Sequence, residues 1–358
     1  MRRRRPLVVI FLIFSISIFL VAFYRWPRYF PQSRERKTSN RKSVSRRKTL
    51  AGRTSFLSHC CDSTADGLSS VTDAIDSAVW QSSFPHAIII GVKKGGTRAL
   101  LSMLGLHPQI RSAPKEIHFF DRDEEFRKGI DHYIAQMPKR KRNQVVVEKT
   151  PSYIIGPSVP KRMKETLPLS TKFIVLFREP IERAISDYMQ TLSSPVSNGT
   201  AVQTFASKVI TANDCQSRQA RCVDSDAYLI QLGQYARWMQ EWLAYYNRSH
   251  FLFLSSEELT LNPVGVLNQV ETFLGVKPFF QGKMFYFNEL KGFYCHRLRR
   301  KREKSQESDG CLGRSKGRHH IKVDPDVVNM LQNYFAPWNR LLYSLIDKTF
   351  NWNYTKES

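Results

Sequence analysis

The sequence predicts an α/β domain built on a central, mostly parallel sheet. Three observations predict it. Ala87-Ile88-Ile89-Ile90-Gly91-Val92 is a short continuous apolar run, as a strand covered on both faces requires. A Lys-Gly-Gly-Thr turn follows it, and then Leu100, Leu101 and Leu104 at helical spacing. Strand, glycine turn and helix together form the opening unit of an α/β sheet. Three further runs, Val145–Val147, Phe173–Phe177 and Phe251–Leu254, have the same buried-strand character, with helical patterns between or after them.

The elements follow in chain order. The first helix reads from Arg98 to Leu106. Pro180 to Leu192 opens with proline in the first turn, where its missing N–H has no intrahelical partner to lose. Tyr228 to Tyr246 reads as one long amphipathic helix. Pro263 to Leu274 places Val266, Leu267, Val270, Phe273 and Leu274 on one face. Pro325 to Phe350 is mostly helical, with an interruption expected at Pro337, since proline removes a backbone donor and clashes with the preceding turn. No internal repeat is present.

With 42% apolar residues among 358, wholesale disorder and a collagen-like fibre are excluded. The net charge is +24. Residues 1–55 hold 15 Lys and Arg against one acid, which leaves 40 against 30 in the rest. The folded part is thus moderately basic and suits a polyanionic partner. Arg2 to Arg5 precede the apolar run Leu7–Tyr24, which is just long enough with its flanks to span a bilayer. A cleaved signal peptide is the competing reading. The run ends in Ala22-Phe23-Tyr24-Arg25-Trp26-Pro27, without a small-residue cleavage site, which favours an uncleaved anchor. Residues 1–6 then form a cytoplasmic tail, 7–24 a transmembrane signal anchor, 25–84 a lumenal stem and 85–358 the folded domain. The stem is rich in Ser, Arg and Lys. A nucleic-acid arm has the same composition, but the adjoining apolar run argues against one. Sequons at Asn198, Asn247 and Asn353 suit the lumenal side, where six cysteines are free to form disulfides. No Cys/His cluster has zinc spacing, so no metal is expected.

The turn Lys93-Lys94-Gly95-Gly96-Thr97-Arg98 is the first chemical feature. Backbone N–H groups at a helix start bind anions, and two glycines allow a phosphate to approach closely. Lys94 adds a cation and Thr97 a hydroxyl. It is neither a Walker A loop nor GxGxxG, and taken alone it also fits an ordinary strand-to-helix turn. Downstream lie Lys115-Glu116-Ile117-His118-Phe119-Phe120-Asp121, Glu148-Lys149-Thr150-Pro151-Ser152-Tyr153, Arg178-Glu179-Pro180 and Arg183-Ala184-Ile185-Ser186-Asp187-Tyr188. After them come Tyr286-Phe287-Asn288, Lys291-Gly292-Phe293-Tyr294-Cys295, Cys311 and Ser315-Lys316-Gly317-Arg318.

In that order, from about Pro85 to Trp352, these stretches resemble the heparan sulfate glucosamine 3-O-sulfotransferases. The resemblance implies a P-loop-like sulfotransferase fold over 85–358, a central mostly parallel sheet flanked by helices. It implies transfer of a sulfuryl group from 3′-phosphoadenosine-5′-phosphosulfate to a glucosamine 3-hydroxyl of heparan sulfate or heparin, by a single-pass type II Golgi membrane protein. Glu116 is then the base, and the Phe119-Phe120 pair beside it offers an apolar wall. His118 and Asp121 support the base and the acceptor. Lys94 neutralises the leaving oxygen. Gly95, Gly96, Thr97, Arg98, Arg178, Ser186, Tyr286, Lys316, Gly317 and Arg318 bind the nucleotide. Lys115, Lys149, Ser152 and Gln231 join Glu116, His118 and Asp121 on the acceptor side. Cys295 and Cys311 match the family's disulfide, and the basic loop between them, from Arg297 to Lys304, is placed to meet a sulfated chain. The short spacing of Cys215 and Cys222 permits a second, local bridge, whereas Cys60 and Cys61 sit in the stem. Pro114 stands where some relatives carry an acidic residue, and Lys139–Arg142 reads as an exposed basic turn or an extension of a polyanion groove. Two other readings stand beside this one: sulfation at another glycan position, N- or O-linked, and a non-catalytic heparin-binding membrane protein, which has no need of Glu116.

Overall fold

The first apolar run forms β1 (Ala87–Gly91), and all five of its residues are buried. The computed structural model describes residues 81–193, 203–212, 221–297, 310–311 and 321–352. The Leu7–Tyr24 run, the stem through residue 80, Asn198, Asn353, Cys60, Cys61, Cys215 and Lys316–Arg318 lie outside them, as does the basic loop beyond Arg297. Among the described residues no helix is long and apolar enough to cross a membrane.

Beyond β1 come α1 (Thr97–Leu104), β2 (Ile110–Ser112), β3 (Val145–Lys149), α2 (Val159–Thr166), β4 (Lys172–Phe177) and α3 (Pro180–Leu192). Then follow α4 (Tyr235–Leu243), β5 (Phe251–Ser255), α5 (Ser256–Leu261), α6 (Pro263–Leu274), β6 (Phe285–Asn288), β7 (Phe293–His296) and α7 (Pro325–Ile346). The central sheet has five strands in the order β2-β3-β1-β4-β5, and every pairing is parallel. β6 and β7 pair separately as an antiparallel hairpin.

Side chains alternate across the sheet and feed two cores. On one face Ile88, Ile90, Val146, Phe173, Val175, Phe177 and Phe253 pack against Tyr235, Met239 and Trp242 of α4 and Leu342 and Ile346 of α7. On the other, Ala87, Ile89, Val147, Ile174, Leu176 and Leu254 meet Leu100 and Leu104 of α1 and Val266, Leu267 and Val270 of α6. A third cluster joins Ile181, Ala184, Ile185 and Tyr188 of α3 to Leu331 and Phe335 of α7.

Two local expectations are corrected. The stretch Tyr228–Tyr246 is not one helix; it divides into Tyr228–Gln231 and α4. Gly233 lies at the break against α7, where a Cβ would sit 2.8 Å from the Phe335 ring. Conversely, α7 runs unbroken through Pro337 and ends at Ile346. Val327, Leu331, Phe335, Leu342 and Ile346 bury one stripe of it, and that tertiary packing outweighs the lost backbone bond. Finally, β2 and the β6–β7 hairpin carry no run long enough to announce them. Cys295 and Cys311 are bonded, at a Cα–Cα distance of 4.6 Å. In the chain-entropy model that closure contributes about 3 kcal/mol.

Candidate active site

Ligands of parallel α/β sheets gather beyond the carboxyl ends of the strands. Here the segments leaving β1, β3, β4 and β5 line one cleft of about 950 Å³. Among its described lining residues are six Lys and Arg (Lys93, Lys94, Arg98, Lys149, Arg178 and Lys291) against Glu116, Glu182 and Glu257. The cleft is therefore a cationic site.

The β1–α1 turn is shaped by backbone constraints. Lys94 and Gly96 have φ of +74° and +86°. At Gly95 a Cβ would lie 2.4 Å from the Leu176 carbonyl oxygen. No side chain caps α1, so its first N–H groups face the ligand region with the helix dipole behind them. The turn is tethered to the next strand and helix. Arg178 Nη1 donates to the Lys94 carbonyl at 3.2 Å, and Lys94 Nζ donates to Gln190 Oε1 at 2.9 Å. Lys93 pairs with Asp187 at 3.0 Å, and Asp187 also accepts from the fully buried Arg183 at 3.2 Å.

A polar chain faces the same cleft. Lys149 Nζ donates to Glu116 Oε1. His118 Nε2 lies 3.5 Å from Glu116 Oε2, and its Nδ1 lies 3.0 Å from Asp121 Oδ2. Ser152 Oγ donates to that same Asp121 oxygen at 2.5 Å. Lys149 is 96% buried, so a carboxylate partner offsets much of its desolvation cost. The expected apolar wall is corrected: Phe119 and Phe120 are buried in the core against Phe126, Tyr133 and Tyr153, while the contacts of Glu116 are ionic.

Behind this chain, Glu148 is fully buried. Burial raises its carboxyl from 4.5 to about 7, against hydrogen bonds from Tyr133 and Thr150 that lower it. The unfolded chain ionises the group first, so the folded state loses relative stability as pH rises from 4.5 to about 7. Glu148→Gln removes that loss. Relative to wild type, the unfolding free energy of Glu148→Gln should therefore rise by about 2–3 kcal/mol between about pH 5 and about pH 8, read by denaturant titration. A difference independent of pH would show that Glu148 titrates as an ordinary carboxyl.

Of the residues singled out from the sequence, Lys94, Gly96, Thr97, Arg98, Glu116, His118, Lys149, Ser152, Arg178 and Ser186 all line the cleft. Gly95 sits inside the turn, and Asp121 stands behind His118. Lys115 is exposed, and neither it nor Gln231 is a lining residue. Tyr286 lies off the cleft: its hydroxyl is 3.6 Å from Cys311 Sγ and Arg297 covers its ring, while Phe293 and Tyr294 form the wall. Asn247 is exposed, and Cys222 is disulfide-bonded. Arg140 donates to the carbonyls of Lys141, Arg142 and Gln144, so it serves its own turn. Sequence reasoning passed over Gln190, Tyr228, Ser256 and Glu257, which also line the cleft. Gln190 follows Ser186 by four residues, a helical spacing that puts both on one face of α3.

A cationic cleft with an open helix start, at the carboxyl edge of a parallel sheet, suits a ligand that carries phosphate or sulfate groups. A family model for the sulfotransferase domain matches residues 84–343. A sulfotransferase from Alicyclobacillus acidocaldarius shares the fold with a TM-score of 0.52 and 23% identity, over 75% of this chain and 98% of that one. Human heparan sulfate glucosamine 3-O-sulfotransferase 6 is 41% identical over 75% of this chain and 74% of its own length. Mouse heparan sulfate glucosamine 3-O-sulfotransferase 3B1 is 39% identical over 75% of this chain and 65% of its own length. The chain belongs to the heparan sulfate glucosamine 3-O-sulfotransferase family. It spans about 65% of the length of relatives such as the mouse 3B1 protein.

Proposed function

We propose that this protein transfers a sulfuryl group from 3′-phosphoadenosine-5′-phosphosulfate to the 3-hydroxyl of a glucosamine residue in heparan sulfate. One observation carries the reading. Glu116, held between Lys149 and His118, shares a cleft with the glycine turn of Lys94–Arg98. The names of the relatives supply the acceptor class.

The residues present fit the donor. The uncapped N–H groups of α1 with Lys94 and Arg98 suit its phosphosulfate. Arg178 and Ser186 offer a guanidinium and a hydroxyl to its 3′-phosphate. The donor supplies an activated sulfuryl group on a good leaving phosphate. Glu116 accepts the proton of the acceptor hydroxyl as the new O–S bond forms. Lys94 meets the charge left on the bridging oxygen as the old S–O bond breaks. Lys149 and His118 hold Glu116 in place, and Asp121 with Ser152 orients the imidazole.

The test is incubation of the purified full-length protein with labelled donor and defined heparan oligosaccharides, followed by positional analysis. Label on the glucosamine 3-oxygen is expected. Label confined to nitrogen or another oxygen, or none, overturns the reading.

The same proposal places the protein in the Golgi membrane as a single-pass type II protein, with the domain in the lumen. Arg2–Arg5, the Leu7–Tyr24 run and the exposed sequon at Asn247 support it. Alkaline extraction should leave the chain in the membrane pellet, carrying glycan at Asn247. A soluble, glycan-free full-length chain would contradict it.

A further inference from the structure

His118 has φ of +55°, a left-handed conformation that residues with a Cβ rarely adopt. Such a conformation persists where its surroundings over-determine it. Here both flanking amides are held. Ile117 N–H donates to Thr150 Oγ1 at 3.1 Å, and Phe119 N–H donates to the Tyr153 hydroxyl oxygen at 3.0 Å. One of these hydroxyls leads on to a carboxylate. Thr150 Oγ1 donates to Glu148 Oε1 at 2.7 Å. Tyr133 donates to Oε2 at 2.6 Å. Glu148, Thr150, Tyr133 and Tyr153 are all fully buried, and none lines the cleft.

A hydroxyl has one proton to give. When Glu148 takes it, the lone pairs of Thr150 are left facing the loop, which presents the Ile117 N–H. An apolar or donating group in place of Glu148 frees the Thr150 hydroxyl to turn. We infer that Glu148 is a positioning residue: through Thr150 it fixes the amide that precedes His118, and so, with the Tyr153 hydroxyl holding the amide that follows, sets where Glu116 and His118 stand in the cleft. This inference rests on the reading of Glu116 as the base.

The test uses the full-length protein. Thr150→Val removes one hydroxyl at nearly constant shape, and Tyr153→Phe removes the other. Each should lower kcat for 3-O-sulfation by about 10- to 100-fold, the scale of a misplaced catalytic group. The Kd for adenosine 3′,5′-bisphosphate, which reports on the glycine turn, should change by less than about twofold. Thr150→Ser, which returns the hydroxyl, should restore most of the lost turnover. A second readout is independent of turnover. In Glu148→Leu, hydrogen-exchange protection at Ile117 should fall at least about tenfold while the β1 amides stay protected. Wild-type kcat in Thr150→Val overturns the inference, and so does unchanged protection at Ile117 in Glu148→Leu. A parallel loss of kcat and nucleotide affinity also overturns it, because that marks a merely structural role. If the wild-type protein sulfates nothing yet the exchange result holds, the functional reading fails while the anchoring of the loop stands.

Discussion

Glu116→Gln is expected to lose turnover by about 10²–10⁴-fold while binding adenosine 3′,5′-bisphosphate nearly as wild type does. A sugar hydroxyl is a poor nucleophile at neutral pH, so a positioned proton acceptor carries much of the barrier reduction. The amide keeps the size of the carboxylate and an oxygen to accept from Lys149 Nζ, the contact that holds the side chain. It loses the basic oxygen that lies 3.5 Å from His118 Nε2. It also leaves the buried Lys149 without its counter-charge, so a modest fall in Tm should accompany the loss. A rate assay beside a nucleotide titration separates the two effects. Wild-type turnover in Glu116→Gln would remove Glu116 from the centre of the mechanism.

Gly95→Ala should be damaging for a different reason. Its Cβ would lie 2.4 Å from the Leu176 carbonyl oxygen and 2.9 Å from Val92 Cγ2. The first of these is a backbone atom of β4, a strand buried over Phe173–Phe177, so it cannot step aside. Relief must come from the turn itself, which moves Lys94 and the start of α1 together. We expect a loss of about 2–4 kcal/mol in stability and disappearance of the thermal shift that adenosine 3′,5′-bisphosphate gives the wild-type protein. Gly282→Ala is the control, because a Cβ there meets nothing within 4 Å. A wild-type nucleotide shift in Gly95→Ala would show that the turn does not hold the donor.

Much of the frame was legible in the chain. β1, β3, β4 and β5 are buried on both faces, and continuous apolar runs are the direct record of that burial. α3 and α6 were legible because each begins with proline and carries a single apolar stripe. The glycine turn was legible because a left-handed φ and a close approach to Leu176 exclude most side chains.

The missed elements share a cause. β2 is three residues long and becomes a strand only by pairing with β3. The break at Gly233 and the continuity of α7 through Pro337 are both settled by contacts with distant residues, Phe335 above all in the first case. The site divides the same way. Residue types and motif order by themselves singled out the candidates: a carboxylate, a histidine and lysines beside a glycine turn. Only the tertiary structure decided how they stand. Lys149 meets Glu116 across 33 residues of chain, Lys94 meets Gln190 across 96, and Ile117 is held by Thr150 across 33. The apolar wall expected from Phe119 and Phe120 turned into core for that reason, and Glu148 was passed over. Periodicity records whether a position is buried. It cannot record which distant group a polar side chain meets once the chain has folded back, because a glutamate in an ion pair, one in a buried hydroxyl cluster and one in water are spelled identically.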